Sequence, residues 1–171
     1  MTAPTLYEVH TSIIRPALRL LPGRLDVPAA RILLLAIGLQ ESRFLYRRQH
    51  GDGPARSFWQ FERGTQLSKG GVWGVYLHPA SRDMLQALCT ARGCSCDPQR
   101  IWERIEIDDV LAAGVARLLL WTDAAPLPSV DDQAGAWRMY AERTWRPGKP
   151  HPETWPAYWR AARAEVLGAD A

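Results

Sequence analysis

The feature that most constrains the fold is the stretch from Pro28 to Glu62, PAARILLLAIGLQESRFLYRRQHGDGPARSFWQFE. Between Ala29 and Leu39 the only charge is Arg31, and every other side chain is apolar or small. Pro28 suits a first helical position, where a missing N–H costs nothing. A helix that is apolar all round needs cover all round, so this one is predicted to run through the middle of the domain. It is too short to span a bilayer. Gln40, Glu41 and Ser42 follow directly on the apolar run.

Glu41 is thus a carboxyl carried to the edge of a core. Partial burial disfavours its anion, and the negative end of the helix dipole repels it. A carboxylic acid held protonated near neutral pH is what general-acid chemistry requires. The alternative is an ordinary helix-end ion pair with Arg43, Arg47 or Arg48.

Leu39-Gln40-Glu41-Ser42-Arg43-Phe44 resembles the Glu-Ser-x-Phe segment of the soluble lytic transglycosylase and goose-type lysozyme superfamily. Ser57-Phe58-Trp59-Gln60-Phe61-Glu62 is similar to that superfamily's Gly-Leu-Met-Gln-hydrophobic segment. Ser57 and Trp59 stand in place of the usual Gly and Met, so Phe58, Gln60 and Phe61 carry the second match. The resemblance covers about residues 28–62 and is faint near Tyr140. It implies Glu41 as the general acid, and Gln60 with its neighbours Phe58 and Trp59 as residues of a sugar cleft. It implies Asp52 and Glu62 as candidates to hold an attacking water, Glu62 replacing an Asp and reaching further by a methylene. It also implies Tyr140 as an aromatic set against the catalytic carboxyl, although the Asn and Gly that follow that Tyr in transglycosylases are missing. Read without the resemblance, Asp52 is a Gly-flanked turn residue and Tyr140 a core aromatic.

A chain of 171 residues fits one domain. With 47% hydrophobic residues it can bury a full core without disulfides or metal. The net charge of +3 suits an anionic polymer such as cell wall or nucleic acid, without choosing between them. No dense Arg/Lys face or recognition-helix pattern marks a nucleic-acid binder. Eight Trp supply either core or flat platforms for sugar rings. Cys89, Cys94 and Cys96 are odd in number and clustered, unlike a secreted disulfide framework. Cys94-x-Cys96 with His78 lacks a second ligand pair at zinc spacing, so no metal and no cofactor are expected. The N-terminus lacks the basic-then-apolar pattern of a signal peptide, and no apolar stretch predicts membrane insertion.

Along the chain, the spacing predicts an amphipathic helix over Leu6–Leu21, stopped by Pro22-Gly23. After the central helix comes a loop with at most a small hairpin turning at Gly51, Gly53 and Pro54. Arg63–Lys69 reads as a short helix ended by Gly70-Gly71. Val72–His78 reads as an extended, cleft-lining segment or a packed connector. Helices are then predicted from Pro79 to Ala91, after the Asp97-Pro98 cap, and from Asp109 to Trp121 behind Asp108, the last packing on the central helix. Ser129 and Asp132 resemble a capping box for a helix to about Trp145. Glu153–Leu167 is a final amphipathic helix whose Trp155, Tyr158 and Trp159 serve packing.

The expectation is a mainly α, lysozyme-like single domain with a buried central helix. Its implied activity is a muramidase, monomeric, cutting the MurNAc-β-1,4-GlcNAc bond of peptidoglycan glycan strands. With no export signal, the implied setting is a bacteriophage lysin made in the reducing host cytoplasm, either released to the wall or carried in the virion. Two other outcomes stay open at this point: an anhydro-forming transglycosylase, and a helical module that binds glycan without cutting it.

Overall fold

The computed structural model describes residues 2–146 and 148–169. The Thr5 hydroxyl accepts from the Glu8 amide while the Glu8 carboxylate accepts from the Thr5 amide. This capping box opens α1 (Leu6–Val9). The single helix expected over Leu6–Leu21 is interrupted by a π-helical segment at His10–Ile14 before α2 (Arg15–Arg19). Pro16 has no N–H for the helical ladder, and the wider turn lies just ahead of it. His10, on that segment, is fully buried, with Nδ1 3.2 Å from Glu165 of the last helix. A 3-10 turn at Gly23–Leu25 leads to α3 (Pro28–Ser42).

Every residue of α3 from Ile32 to Gly38 is buried. Burying each large aliphatic chain there contributes about 2–3 kcal/mol. Arg31, the only charge in the apolar run, pairs with Asp26 at 2.7 Å beside the start of the helix. The excursion that follows contains no strand among the described residues. The expected hairpin is reduced to bridges between Arg48 and Arg56 and between Arg56 and Phe61.

Two readings fail on either side of Gly70-Gly71. Residues 63–69 are irregular with a turn at 66–68 rather than a helix, and the helix is α4 (Gly71–Leu77), a stretch expected to be extended or a connector. The paired glycines begin a helix instead of ending one. Gly71 has φ +56°, and a Cβ there would lie 2.0 Å from the Glu62 carbonyl. The position therefore needs glycine to let α4 dock on the preceding segment.

The chain continues with α5 (Arg82–Ala91), α6 (Pro98–Arg104) and α7 (Asp109–Trp121). Asp97 caps α6 by accepting from Gln99 and Arg100 amides, and Asp108 caps α7 by accepting from Leu111. The next helix starts later than expected. Asp132, not Ser129, accepts from the Gly135 amide and opens α8 (Gln133–Trp137), which runs on as a π-helical segment at Arg138–Thr144. Finally, α9 (Trp155–Ala169) packs on α3 in the most extensive helix contact among the described residues, whereas α7, the expected neighbour, touches α3 less. Among the described residues the protein is a mainly α domain organised around α3, and no helix is long and apolar enough to cross a membrane.

Candidate active site

The end of α3 presents Glu41 to the surface. Arg43 and Phe44 both take left-handed backbone, with φ of 51° and 56°. Two consecutive non-glycine residues in that region are costly, and packing must hold them. They fold the chain back so that the Phe44 ring packs on Gly38. A Cβ at Gly38 would meet that ring at 2.3 Å. The Ser42 hydroxyl accepts from the Phe44 amide at 3.1 Å and donates to the Phe58 carbonyl at 2.7 Å. One serine thus clasps the two sequence segments singled out above.

The second segment is also built on left-handed backbone, at Ser57 (φ 69°) and Gln60 (φ 48°). At Ser57 a glycine would be unstrained. The serine adds an Oγ that accepts from the Trp59 amide at 3.2 Å. Phe58 and Trp59 do not face the cleft. Phe58 meets Phe44 edge to face and is covered by the Arg47 guanidinium. Trp59 is fully buried and donates its indole N–H to the Leu34 carbonyl in the middle of α3. Their side chains anchor the segment in the core, where large aromatics between two elements bury most area. Gln60 does line the cleft, its amide donating to the Ser57 carbonyl at 2.7 Å.

The excursion is held from the other side by α6 and α7. Arg47 grips Asp109 with two hydrogen bonds of 2.8 Å. Arg56 pairs with Glu106 and stacks on Trp102, whose indole N–H donates to the Pro54 carbonyl.

The resulting cleft has a volume of about 770 Å³, within the range of ligand sites. Glu41, Gln60 and Glu62 line it together with Tyr46, His50 and Trp145. Glu62 is exposed there, and its carbonyl accepts from the Val72 amide at the start of α4. Asp52 is elsewhere. Its side chain is 89% exposed at the Gly-flanked turn, with φ +56° and Arg48 3.6 Å away. It is a turn residue, because aspartate tolerates this backbone where most residues do not.

Tyr140 is brought to Glu41 by the π-helical segment after α8. Its hydroxyl donates to Glu41 Oε1 at 2.6 Å, and its ring stacks on Trp155 with centroids 5.3 Å apart. Trp137 and Trp145 complete an aromatic wall around it. The helix-end ion pair considered for Glu41 does not form. Arg47 is committed to Asp109 and Arg48 to Asp52, and among the described residues Glu41 has no ion pair. Burial pushes its carboxyl up to about 7, opposed by the Tyr140 hydrogen bond. Such a carboxyl can hand a proton to an oxygen leaving group in the cleft at neutral pH.

Of the cleft residues that were not singled out from the sequence, Tyr46 and Trp145 bond to the site's own segments. Tyr46 donates its hydroxyl to the Glu41 carbonyl at 3.0 Å and packs against His50. Trp145 donates its indole N–H to the Trp59 carbonyl while facing the cleft. Each follows a key residue (Glu41, Tyr140) by five positions, the only signal that could have drawn attention to them. Compared with protein-family models, with curated proteins and with solved structures, the chain has no match in any of the three.

Proposed function

We propose that the protein is a peptidoglycan-cutting muramidase acting on the MurNAc-β-1,4-GlcNAc bond, with Glu41 as the general acid. The observation that carries this reading is Glu41 itself: a carboxyl with no counter-ion among the described residues, raised to about 7, on the wall of a large open cleft. Glu41 gives its proton to the glycosidic oxygen as the bond to the sugar carbon breaks and positive charge develops there. Gln60 offers an amide to the sugar, and Trp145 and Tyr46 offer ring faces. The similarity of residues 39–44 and 57–62 to the transglycosylase and goose-type lysozyme superfamily supports the same reading.

In the hydrolytic route Glu62, the second carboxylate on the cleft lining, orients the water. A second reading is favoured by the displacement of Asp52 into an exposed turn, which leaves Glu62 as the one expected water-holder on the cleft lining. If Glu62 does not engage water, Glu41 acts as both acid and base, and the muramyl residue closes to a 1,6-anhydro sugar. The test is digestion of purified peptidoglycan by wild type and Glu41→Gln, with mass spectrometry of the released muropeptides. Cutting by wild type alone assigns the acid. Reducing-end products mean hydrolysis, and products lighter by one water mean the anhydro route. Equal cutting by Glu41→Gln, or none by wild type on several wall types, sinks the proposal.

A further inference from the structure

Glu41 forms part of a second cavity besides the main cleft. This smaller pocket has a volume of about 240 Å³ and shares Glu41, Tyr46, Gly148 and Lys149 with the cleft. Its own lining adds Arg43 and His151. It holds about eight waters' worth of space, room for a side group of a glycan rather than for a second stretch of strand.

Its charged lining is Arg43 and Lys149 together with Glu41, whose carboxyl burial keeps protonated below about pH 7. Arg43 and Lys149 are both exposed, and among the described residues neither makes an ion pair. The other arginines close to Glu41 in sequence, Arg47 and Arg48, face aspartates. His151 sits beside Glu153, with Nδ1 3.3 Å from its carboxylate. Two residues beyond Lys149 the chain is tied to the end of α3. Gln40 donates to the His151 carbonyl at 2.9 Å and accepts from the Thr154 hydroxyl at 3.0 Å. The residue just before Glu41 therefore holds His151, two positions from the lysine that lines the pocket.

Two cations without counter-ions among the described residues, in one small pocket, form a site for an anion. We infer that this pocket is an anion subsite, in which Arg43 and Lys149 hold a carboxylate carried on the muramyl side of the scissile bond. The inference rests on the muramidase reading for its substrate class. N-acetylglucosamine is neutral, so the carboxylate belongs to the lactyl substituent in peptide-free strands. In peptide-bearing strands that carboxyl is an amide, and the carboxylate comes from the stem peptide. Through this subsite the enzyme distinguishes muramyl glycan from a neutral polymer of N-acetylglucosamine.

The test compares wild type, Arg43→Asn, Lys149→Gln and the double variant. Asparagine is chosen because it tolerates the left-handed backbone at position 43. Steady-state kinetics are measured on peptide-bearing strands, on amidase-stripped strands and on chitohexaose. The expected result is a KM raised about tenfold on the anionic strands, with kcat nearly unchanged and chitohexaose unaffected. Loss confined to peptide-bearing strands assigns the stem carboxylate, and loss on stripped strands assigns the lactyl group. Unchanged KM on every substrate, or equal loss on chitohexaose, overturns the inference. Binding is read separately from cutting by NMR titration of Glu41→Gln, with and without the two substitutions, using N-acetylmuramic acid and N-acetylglucosamine. Preference for the acid that disappears in the double variant upholds the subsite even if wild type cuts no wall. Equal binding of the two sugars overturns it even if wild type cuts.

Discussion

The Tyr140 hydroxyl lies 2.6 Å from Glu41 Oε1, and it pulls against the burial of that carboxyl. Desolvation favours the neutral acid, whereas a donated hydrogen bond favours the anion. Burial is the larger effect and leaves the group at about 7. Tyr140 itself is pushed far above its ordinary value, by burial first and by the neighbouring carboxyl second, so it stays a donor throughout the working pH range. On the proposed reading, the pair sets how much of Glu41 is protonated when substrate arrives.

Activity is therefore expected to decline above about pH 7, as the free enzyme loses the Glu41 proton. Tyr140→Phe keeps the stack on Trp155 and removes the donor, so the alkaline limb of kcat/KM should move upward. A pH–rate series on both proteins measures this. A limb that stays put or moves down in Tyr140→Phe would show that the tyrosine does not act through the carboxyl.

Folding stability should carry the same signature. The folded chain keeps a proton on Glu41 that the unfolded chain gives up between about 4.5 and 7. Stability from this group is full at or below pH 4.5 and falls as pH rises to about 7, by about 3 kcal/mol in all. Glu41→Gln removes that penalty and retains an acceptor for Tyr140. At pH 8 it is expected to melt about 5–10 °C above wild type, and at pH 4.5 close to it. Thermal melts at the two pH values decide. A mutant no more stable at pH 8 would mean that Glu41 is not held in an unfavourable environment.

Much of this arrangement is legible in the sequence, and the remainder has physical reasons for being hidden. The apolar run ending in Glu41 announces both the central helix and its half-buried carboxyl, because both follow from local composition. The caps at Asp97 and Asp108 are equally local. Phe58 and Trp59 are misread because an aromatic beside a cleft residue and an aromatic beneath it have the same letters; the left-handed turn at Ser57 decides which way they point. Gly71 is misread because its reason is a close approach to the Glu62 carbonyl, a contact between segments. The π-helical segments escape a pattern based on 3.6 residues per turn, and one of them carries Tyr140.

Gly38 offers a test of how the end of α3 is shaped. An added Cβ would meet Phe44 Cε1 and Cζ at 2.3 Å, and Phe44 is buried with Phe58 and Trp59 against it. The ring cannot swing aside without moving the turn that follows Glu41. Gly38→Ala is expected to cost about 1–3 kcal/mol in spite of alanine's better helix propensity. Chemical denaturation measures the loss, and a neutral or stabilised mutant would refute this tight packing.

The two candidate water-holders should behave oppositely. Asp52 projects into solvent from a turn whose backbone asparagine also tolerates. Asp52→Asn should leave turnover and products unchanged, since removing its exposed pair with Arg48 costs little. Glu62 lines the cleft, and the Val72–Glu62 backbone bond keeps its main chain in place when the side chain changes. Glu62→Gln preserves size and fold but cannot orient water by accepting its proton. If the hydrolytic route operates, turnover should fall about a hundredfold or more, and the remaining product should shift towards the anhydro sugar, because Glu41 still protonates the leaving oxygen. If wild type makes only anhydro product, Glu62→Gln should change neither rate nor product. Muropeptide mass spectrometry on the two variants separates these outcomes. Loss of turnover in Asp52→Asn would contradict the geometry of the turn, and unaltered hydrolysis by Glu62→Gln would remove Glu62 from the chemistry.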